Sequence, residues 1–330
     1  MWQSQHRKIE QLESDAFECD LAWLGPPEIE ELLGPASIDP FRSIVGVSGW
    51  NDKVDDDTLS RLADVTTIRS IVLNFYAAKP MDRLFSWPNF TSTGIERLAT
   101  LGDLTVLRIL DGSTDDATVE PLQRLRNLEV LELEGGKRVT EAGGVECRLT
   151  DQGLSYLQNL TKLKRLSLSG TRVTDKGLIH LRKMTDLREL DLIGTSVRGS
   201  GLAQLEHLSL ERIDLSSLVL DSMALVHVSR LRTLTHLRLA NTNITDAQLH
   251  YLYELPHLES LDLAGTNVTD QGVESFVKHN ALKYLNLHGT QVSSVAVENL
   301  RQACGLEIIL PNGLSTNDGD RAKNPGDTQE

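Results

Sequence analysis

Aromatic residues make up only 5% of this 330-residue chain, and cysteine occurs three times. Cys19, Cys147 and Cys304 are odd in number and far apart, which argues against a disulfide framework. Reduced thiols, and an N-terminus with no apolar central stretch or small-residue cleavage site, predict a cytoplasmic protein. No uninterrupted apolar run approaches the roughly 20 residues of a membrane span. Basic charge is in deficit too: 33 Lys and Arg stand against 47 Asp and Glu, a net charge of −14. Nucleic acid and anionic lipid both need a basic footprint, so neither is expected as a partner. Catalytic spacings are also missing. The nine histidines form no HExxH pair and no zinc-finger pairing with cysteine. No Gly-x-Ser-x-Gly elbow or kinase signature occurs, and Gly135-Gly136-Lys137 lacks the spacing of a phosphate loop. No enzyme activity, metal or cofactor is expected.

What the chain does have is a repeat. Leu163, Leu166, Leu168, Thr171, Val173, Thr174, Asp175, Gly177, Leu178 and Leu181 return 24 residues later as Leu187, Leu190, Leu192, Thr195, Val197, Gly201, Leu202 and Leu205. The same phase runs upstream and downstream, giving eleven strand starts at 44, 68, 104, 128, 163, 187, 210, 234, 258, 282 and 306. Within each copy, L-x-x-L-x-L carries a period-two pair suited to a short strand. Thr174 can cap a helix whose first turn holds Asp175, and Leu178 and Leu181 share that helix's inner side. One such unit cannot bury its apolar side alone, so neighbours must stack.

The pattern L-x-x-L-x-L-x-x-T-x-V-T-D-x-G-L resembles the leucine-rich repeat family over about residues 41–313. Its T-D-x-G-L half is similar to bacterial leucine-rich repeat proteins and to F-box-associated and ribonuclease-inhibitor-like repeats. The resemblance implies an α/β leucine-rich repeat solenoid of eleven strand-plus-short-helix units around a parallel concave sheet. It departs from the family at Thr171, Thr195, Thr242, Thr266 and Thr290, where Asn or Cys is common. Their hydroxyls are expected to bond the adjacent turn's backbone.

Outside the repeat, residues 1–40 read as an N-terminal helical cap built on Trp2, Ile9, Leu12 and Phe17, and residues 314–330 as a polar disordered tail. Two insertions lengthen the spacing, near 77–89 and near 135–148. The first brings Phe85, Trp87 and Phe90 close in phase to Trp50, Phe75 and Tyr76. This aromatic rim either packs the insertion on its own repeat or anchors a partner.

Strand alternation puts the third and fifth residues of L-x-x-L-x-L on the open face. They include Val106, Arg108, Val130, Glu132, Arg165, Ser167, Glu189, Asp191, Arg212, Asp214, His236, Arg238, Ser260, Asp262, Tyr284 and Asn286. The face is either a self-neutralising charge ladder or a polar recognition surface. The function expected from it is a monomeric, non-enzymatic scaffold or interaction module that binds another protein through Arg165, Glu189, Asp191, Arg212, Asp214, His236, Arg238, Asp262 and Tyr284, with Trp50, Phe75, Phe85 and Trp87 at the rim. Alternatives are a substrate-recognition subunit of a ubiquitin ligase, for which LGPPEIEELL is too short a recruiting motif, a surface or secreted adhesion protein, and a hydrolase using paired carboxylates.

Overall fold

The computed structural model describes residues 17–22, 43–50, 54–74, 90–112, 114–135, 148–304 and 306–309. They fall in two compact units, residues 1–196 and 197–330. In the first, six strands pair in parallel in chain order: β2 (Ser43–Trp50), β3 (Ser70–Asn74), β4 (Val106–Gly112), β5 (Val130–Gly135), β6 (Arg165–Ser167) and β7 (Glu189–Asp191). In the second, β8 (Arg212–Asp214), β9 (His236–Arg238), β10 (Ser260–Asp262), β11 (Tyr284–Asn286) and β12 (Glu307–Ile309) do the same. Each strand from β2 to β11 leads to a short helix or 3-10 turn. The helices are α1 (Asp56–Ala63), α2 (Ser92–Leu98), α3 (Asp116–Val119), α4 (Asp151–Tyr156), α5 (Ala224–Val228), α6 (Asp246–Leu249), α7 (Asp270–Val273) and α8 (Ser294–Cys304). This is the α/β leucine-rich repeat solenoid architecture.

Two details correct the sequence reading. Phe17, assigned above to a capping helix, lies in β1 (Phe17–Ala22), which pairs antiparallel with β2. The physical reason is legible in FECDLA, where Phe17, Cys19 and Leu21 alternate with Glu18 and Asp20 at the strand period. The other residues of the 1–40 segment, and the tail 314–330, lie outside the described residues. The last repeat is also one residue out of phase. Tyr284 pairs with Glu307, and Ile308 rather than Ile309 is buried. The apolar run from Leu306 to Leu310 fits more than one register, and a slip of one residue exchanges the faces.

The core columns are those the periodicity marks. Leu163, Leu166, Leu168, Val173, Leu178 and Leu181 are all fully buried in one repeat, and Leu258, Leu261, Leu263 and Val268 in another. The threonines act differently from expectation. Thr171, Thr195, Thr242, Thr266 and Thr290 donate to the carbonyls of Leu168, Leu192, Leu239, Leu263 and Leu287, at 2.6–2.8 Å. Each closes its own turn instead of bonding the adjacent one. The residue preceding each threonine takes a left-handed conformation, with Gly170 at φ 70° and Gly265 at φ 66°. Asn241 fills the same slot at φ 56°.

Contact between repeats comes from the T-D-x-G element. Asp116 accepts from the Thr150 N–H at 2.8 Å, the Thr150 hydroxyl at 2.7 Å and the Gly153 N–H at 3.0 Å. Asp56 does the same for Thr91 and Gly94, and Asp151 holds the N–H and hydroxyl of Thr174. In the second unit Asp246 serves Thr269 and Asp270 serves Ser293. The aspartate of one repeat thus holds the cap residue of the next. The glycine is required by proximity: a Cβ on Gly94, Gly153, Gly177 or Gly272 would overlap the carboxylate of Asp56, Asp116, Asp151 or Asp246. The sequence reading of Thr-Asp as a helix start therefore covers half of its role.

Candidate protein-interaction face

In the first unit the open sheet face begins with half-buried Val72, Val106 and Val130 and continues as a chain of alternating charge. Arg108 Nε stands 3.2 Å from Glu132, Arg165 stands 3.7 Å from Glu132, and Arg165 Nη2 pairs with Glu189 at 2.7 Å. Register produces this order. Arg108 lies opposite Glu132, Arg165 opposite Glu189, and Arg165 reaches diagonally to Glu132. Pairs this exposed contribute about 0–1 kcal/mol each, so they orient the side chains more than they stabilise the fold. Asp191 is different. Its Oδ1 accepts from the Ile193 N–H at 2.8 Å and its Oδ2 from the Ser167 hydroxyl at 2.9 Å.

The second unit repeats that device. Asp214, Asp262 and Asn286 accept from the N–H two residues on, at Ser216, Ala264 and His288. These side chains close the turn that ends each strand. Asp214 keeps only 13% of its side chain exposed and lies 3.7 Å from Arg238. The carboxylates that the sequence offers as an acid–base pair are thus spent on local backbone, and a charge reversal at Asp214 would open a turn. Arg212 and Arg238 are exposed, while His236, Ser260 and Tyr284 are half-buried in a row beside them. Thr235 Oγ1 lies 2.8 Å from His236 Nδ1 and itself donates to the Glu211 carbonyl. Burial raises the Tyr284 hydroxyl above its ordinary value, Asp262 and Glu307 add to the shift, and Arg238 opposes it. Tyr284 therefore remains a neutral phenol at neutral pH.

Leucine-rich repeat models match residues 159–181 and residues 232–292. Those segments lie in the stretches where strand, turn-closing threonine and short helix recur in the structure. Both segments carry leucine-rich repeats. Among solved structures, it is similar to an internalin of Listeria monocytogenes at 18% identity, over 87% of this chain and 94% of that one, with a TM-score of 0.45. Internalin C2 of the same organism is similar at 16% identity, over 84% and 83% of the two chains, with a TM-score of 0.39. No curated protein matches the chain.

Within the leucine-rich repeat frame, the other predicted site residues separate clearly. Phe75, Phe85 and Trp87 lie outside the described residues, as do most of the two insertions; Trp50 closes β2, and only its backbone is described. Among the described residues, no group of three or more His, Cys, Asp or Glu is placed to hold a metal ion. No described helix is long and apolar enough to cross a membrane. His227, on α5, has its Nδ1 2.7 Å from Glu206, which also takes Arg230 at 2.9 Å. Burial works to raise the Glu206 carboxyl, but the hydrogen bonds from His227 and Arg230 win and hold it below the usual carboxylate value.

His279 is the residue that sequence reasoning missed. In the repeat alignment it occupies the column of Leu160, Met184, Leu231 and Leu255, and it is buried with them. Its Nδ1 accepts from the Leu282 N–H at 3.2 Å, and its Nε2 is enclosed without a hydrogen-bond partner. Burial lowers its pKa. The opposing pull of the Leu255 and His279 backbone toward the protonated ring is weaker. The unfolded chain therefore takes up a proton that the fold refuses. Stability is fully present above about pH 6.5 and falls as pH drops below it. His279→Leu restores the column and is expected to stabilise the protein by about 1 kcal/mol at neutral pH, with a larger gain in acid. Urea unfolding at several pH values between neutral and mildly acidic reads both effects. An unchanged pH dependence in the variant would assign the acid sensitivity elsewhere.

Proposed function

We propose that this protein is a non-catalytic interaction module that binds a partner protein on the open face of its sheet. The supporting observation is the ordered row of half-exposed side chains on that face. Registered parallel strands hold them about 5 Å apart. Apolar Val106 and Val130 adjoin Arg165 and Glu189 in the first unit, and Arg212, His236, Ser260 and Tyr284 follow one another in the second. Such a surface offers charge for specificity and a tyrosine for contact area, and its backbone is already ordered, which lowers the entropic cost of binding. Leucine-rich repeat proteins generally act by binding other proteins, which agrees with this reading. Cytoplasmic location and a monomeric state belong to the same proposal.

The test uses Arg212→Glu and Tyr284→Ala. Neither side chain closes a turn, so the fold should survive both, as circular dichroism would verify. Alanine at a central aromatic or charge reversal at an exposed arginine should each weaken partner binding by about tenfold or more. Affinity capture from the host's lysate, quantified by mass spectrometry, compares wild type with both variants. Undiminished capture by both would rule out this face of the second unit.

A further inference from the structure

We infer that His279 is an acid-operated latch on the C-terminal end of the second unit: protonation of its ring undocks β11, α8 and β12 while the preceding repeats stay folded. The opening itself does not depend on the proposed role of the sheet face. Its consequence for binding rests on that reading, because the released strand β11 carries Tyr284.

The latch is a hydrogen bond of fixed polarity. A backbone N–H can only donate, so the Leu282 N–H, 3.2 Å from Nδ1, requires a bare nitrogen there. The neutral ring then carries its hydrogen on Nε2. Protonation adds a second hydrogen at Nδ1 and sets donor against donor. Leu282 stands two residues before Tyr284, so acid removes the bond that ties this turn to β11. Nε2 cannot compensate, because it is enclosed without a partner. Burial adds to the penalty on the charged ring.

The surrounding charges do not relieve the ring. Glu254 and His257 on the preceding turn, Glu274 on the 3-10 turn Glu274–Lys278, Lys283 before β11 and Glu298 on α8 are all exposed. Glu254 lies 4.0 Å from Arg232, Lys283 pairs with Glu259 at 2.9 Å, and Glu298 accepts from Gln302. Asp270 on α7 holds Ser293, and Arg301 on α8 donates to the Ile308 carbonyl. The Tyr253 hydroxyl donates to Gly272, and Tyr284 lies half-buried on the sheet face. Among the described residues, no carboxylate pairs with His279.

Position makes the opening local. Leu231, Leu255 and His279 stack in one column, and its next slot is Ala303, which is exposed. His279 is therefore the last buried residue of that column, with only β11, α8 and β12 beyond it. Each repeat of a solenoid contacts only its neighbours, so an end can detach while the rest holds. Burial of Leu285, Leu287, Val297 and Leu300 keeps this end docked while the ring is neutral.

Hydrogen–deuterium exchange read by mass spectrometry tests this on the full chain, with protection corrected for the intrinsic exchange rate at each pH. The comparison is between about pH 7.5 and about pH 5.5, one unit below the ordinary histidine value of about 6.5, where one proton favours the open form about tenfold. Peptides covering β11 and α8 should lose about tenfold in protection in acid, while β9 stays within about twofold. His279→Leu and His279→Gln should both abolish that loss. The glutamine keeps a polar side chain in the column but cannot take up the proton, which separates protonation from packing. No loss in wild type, an equal loss in β9 and β11, or a loss that persists in either variant would overturn the latch.

Discussion

Gly153→Ala should lower the unfolding free energy by about 3 kcal/mol or more. The added Cβ would overlap the Asp116 carboxylate and a Leu149 methyl, and would stand 3.2 Å from the Asp116 Cα, which is backbone and cannot swing aside. Overpacking of this kind costs about 1–3 kcal/mol. Displacing Asp116 also breaks its bonds to Thr150 and Gly153, and hydrogen bonds to a charged group contribute about 1.5–3 kcal/mol. The two effects share one carboxylate, so they must couple. Asp116→Ala alone should destabilise through the lost bonds. Added to Gly153→Ala, it should cost much less than it does alone, because the bonds are already broken and part of the overlap is removed. A double-mutant cycle measured by urea unfolding reads this coupling. Strict additivity would mean that aspartate and glycine are independent and that the T-D-x-G element does not link repeats.

Phe276→Ala should cost about 3–5 kcal/mol, the range for truncating a fully buried aromatic. Phe276 takes the column position that leucine fills at Leu157, Leu181, Leu205 and Leu252. Its ring meets Tyr253 edge-on, with centroids 4.9 Å apart, and Tyr253 in turn donates to the Gly272 carbonyl at 2.6 Å. Truncation removes ring area and the edge-to-face contact, and leaves a cavity under an ordered tyrosine. Phe276→Leu returns the column to its usual residue and should cost clearly less than alanine. Equal losses for alanine and leucine would mean that the aromatic pair, and not the filled volume, carries the stability.

The architecture was legible because one signal recurs. Leucines at 24-residue steps mark the core columns whether or not any single copy is well formed, and stacking does the rest. Legibility ended where a residue's role depends on a neighbouring repeat. Asp116 lies 37 residues from Gly153, and nothing within one copy shows that they touch. Asp191, Asp214 and Asp262 sit on the sheet face as strand alternation requires. Their use in closing turns depends on side-chain direction, which alternation does not specify. His279 stood in a leucine column in the alignment, and comparison of columns would have flagged it. β1 was missed because Phe17 was read with helical companions rather than with its own alternating neighbours. The aromatic rim remains an expectation, since Phe75, Phe85 and Trp87 lie outside the described residues.

The central claim, that the open sheet face is where this protein meets its partner, is tested most directly by site-specific photo-cross-linking. A photoreactive residue at Ser260 samples the middle of the face in the second unit. The same residue at exposed Gln271 samples the first turn of α7, away from the face. Both variants would be cross-linked in host lysate under identical conditions and their products identified by mass spectrometry. The account predicts a discrete protein adduct from position 260, competed by unmodified wild type, and none from position 271. An adduct from 271 with none from 260 would contradict it.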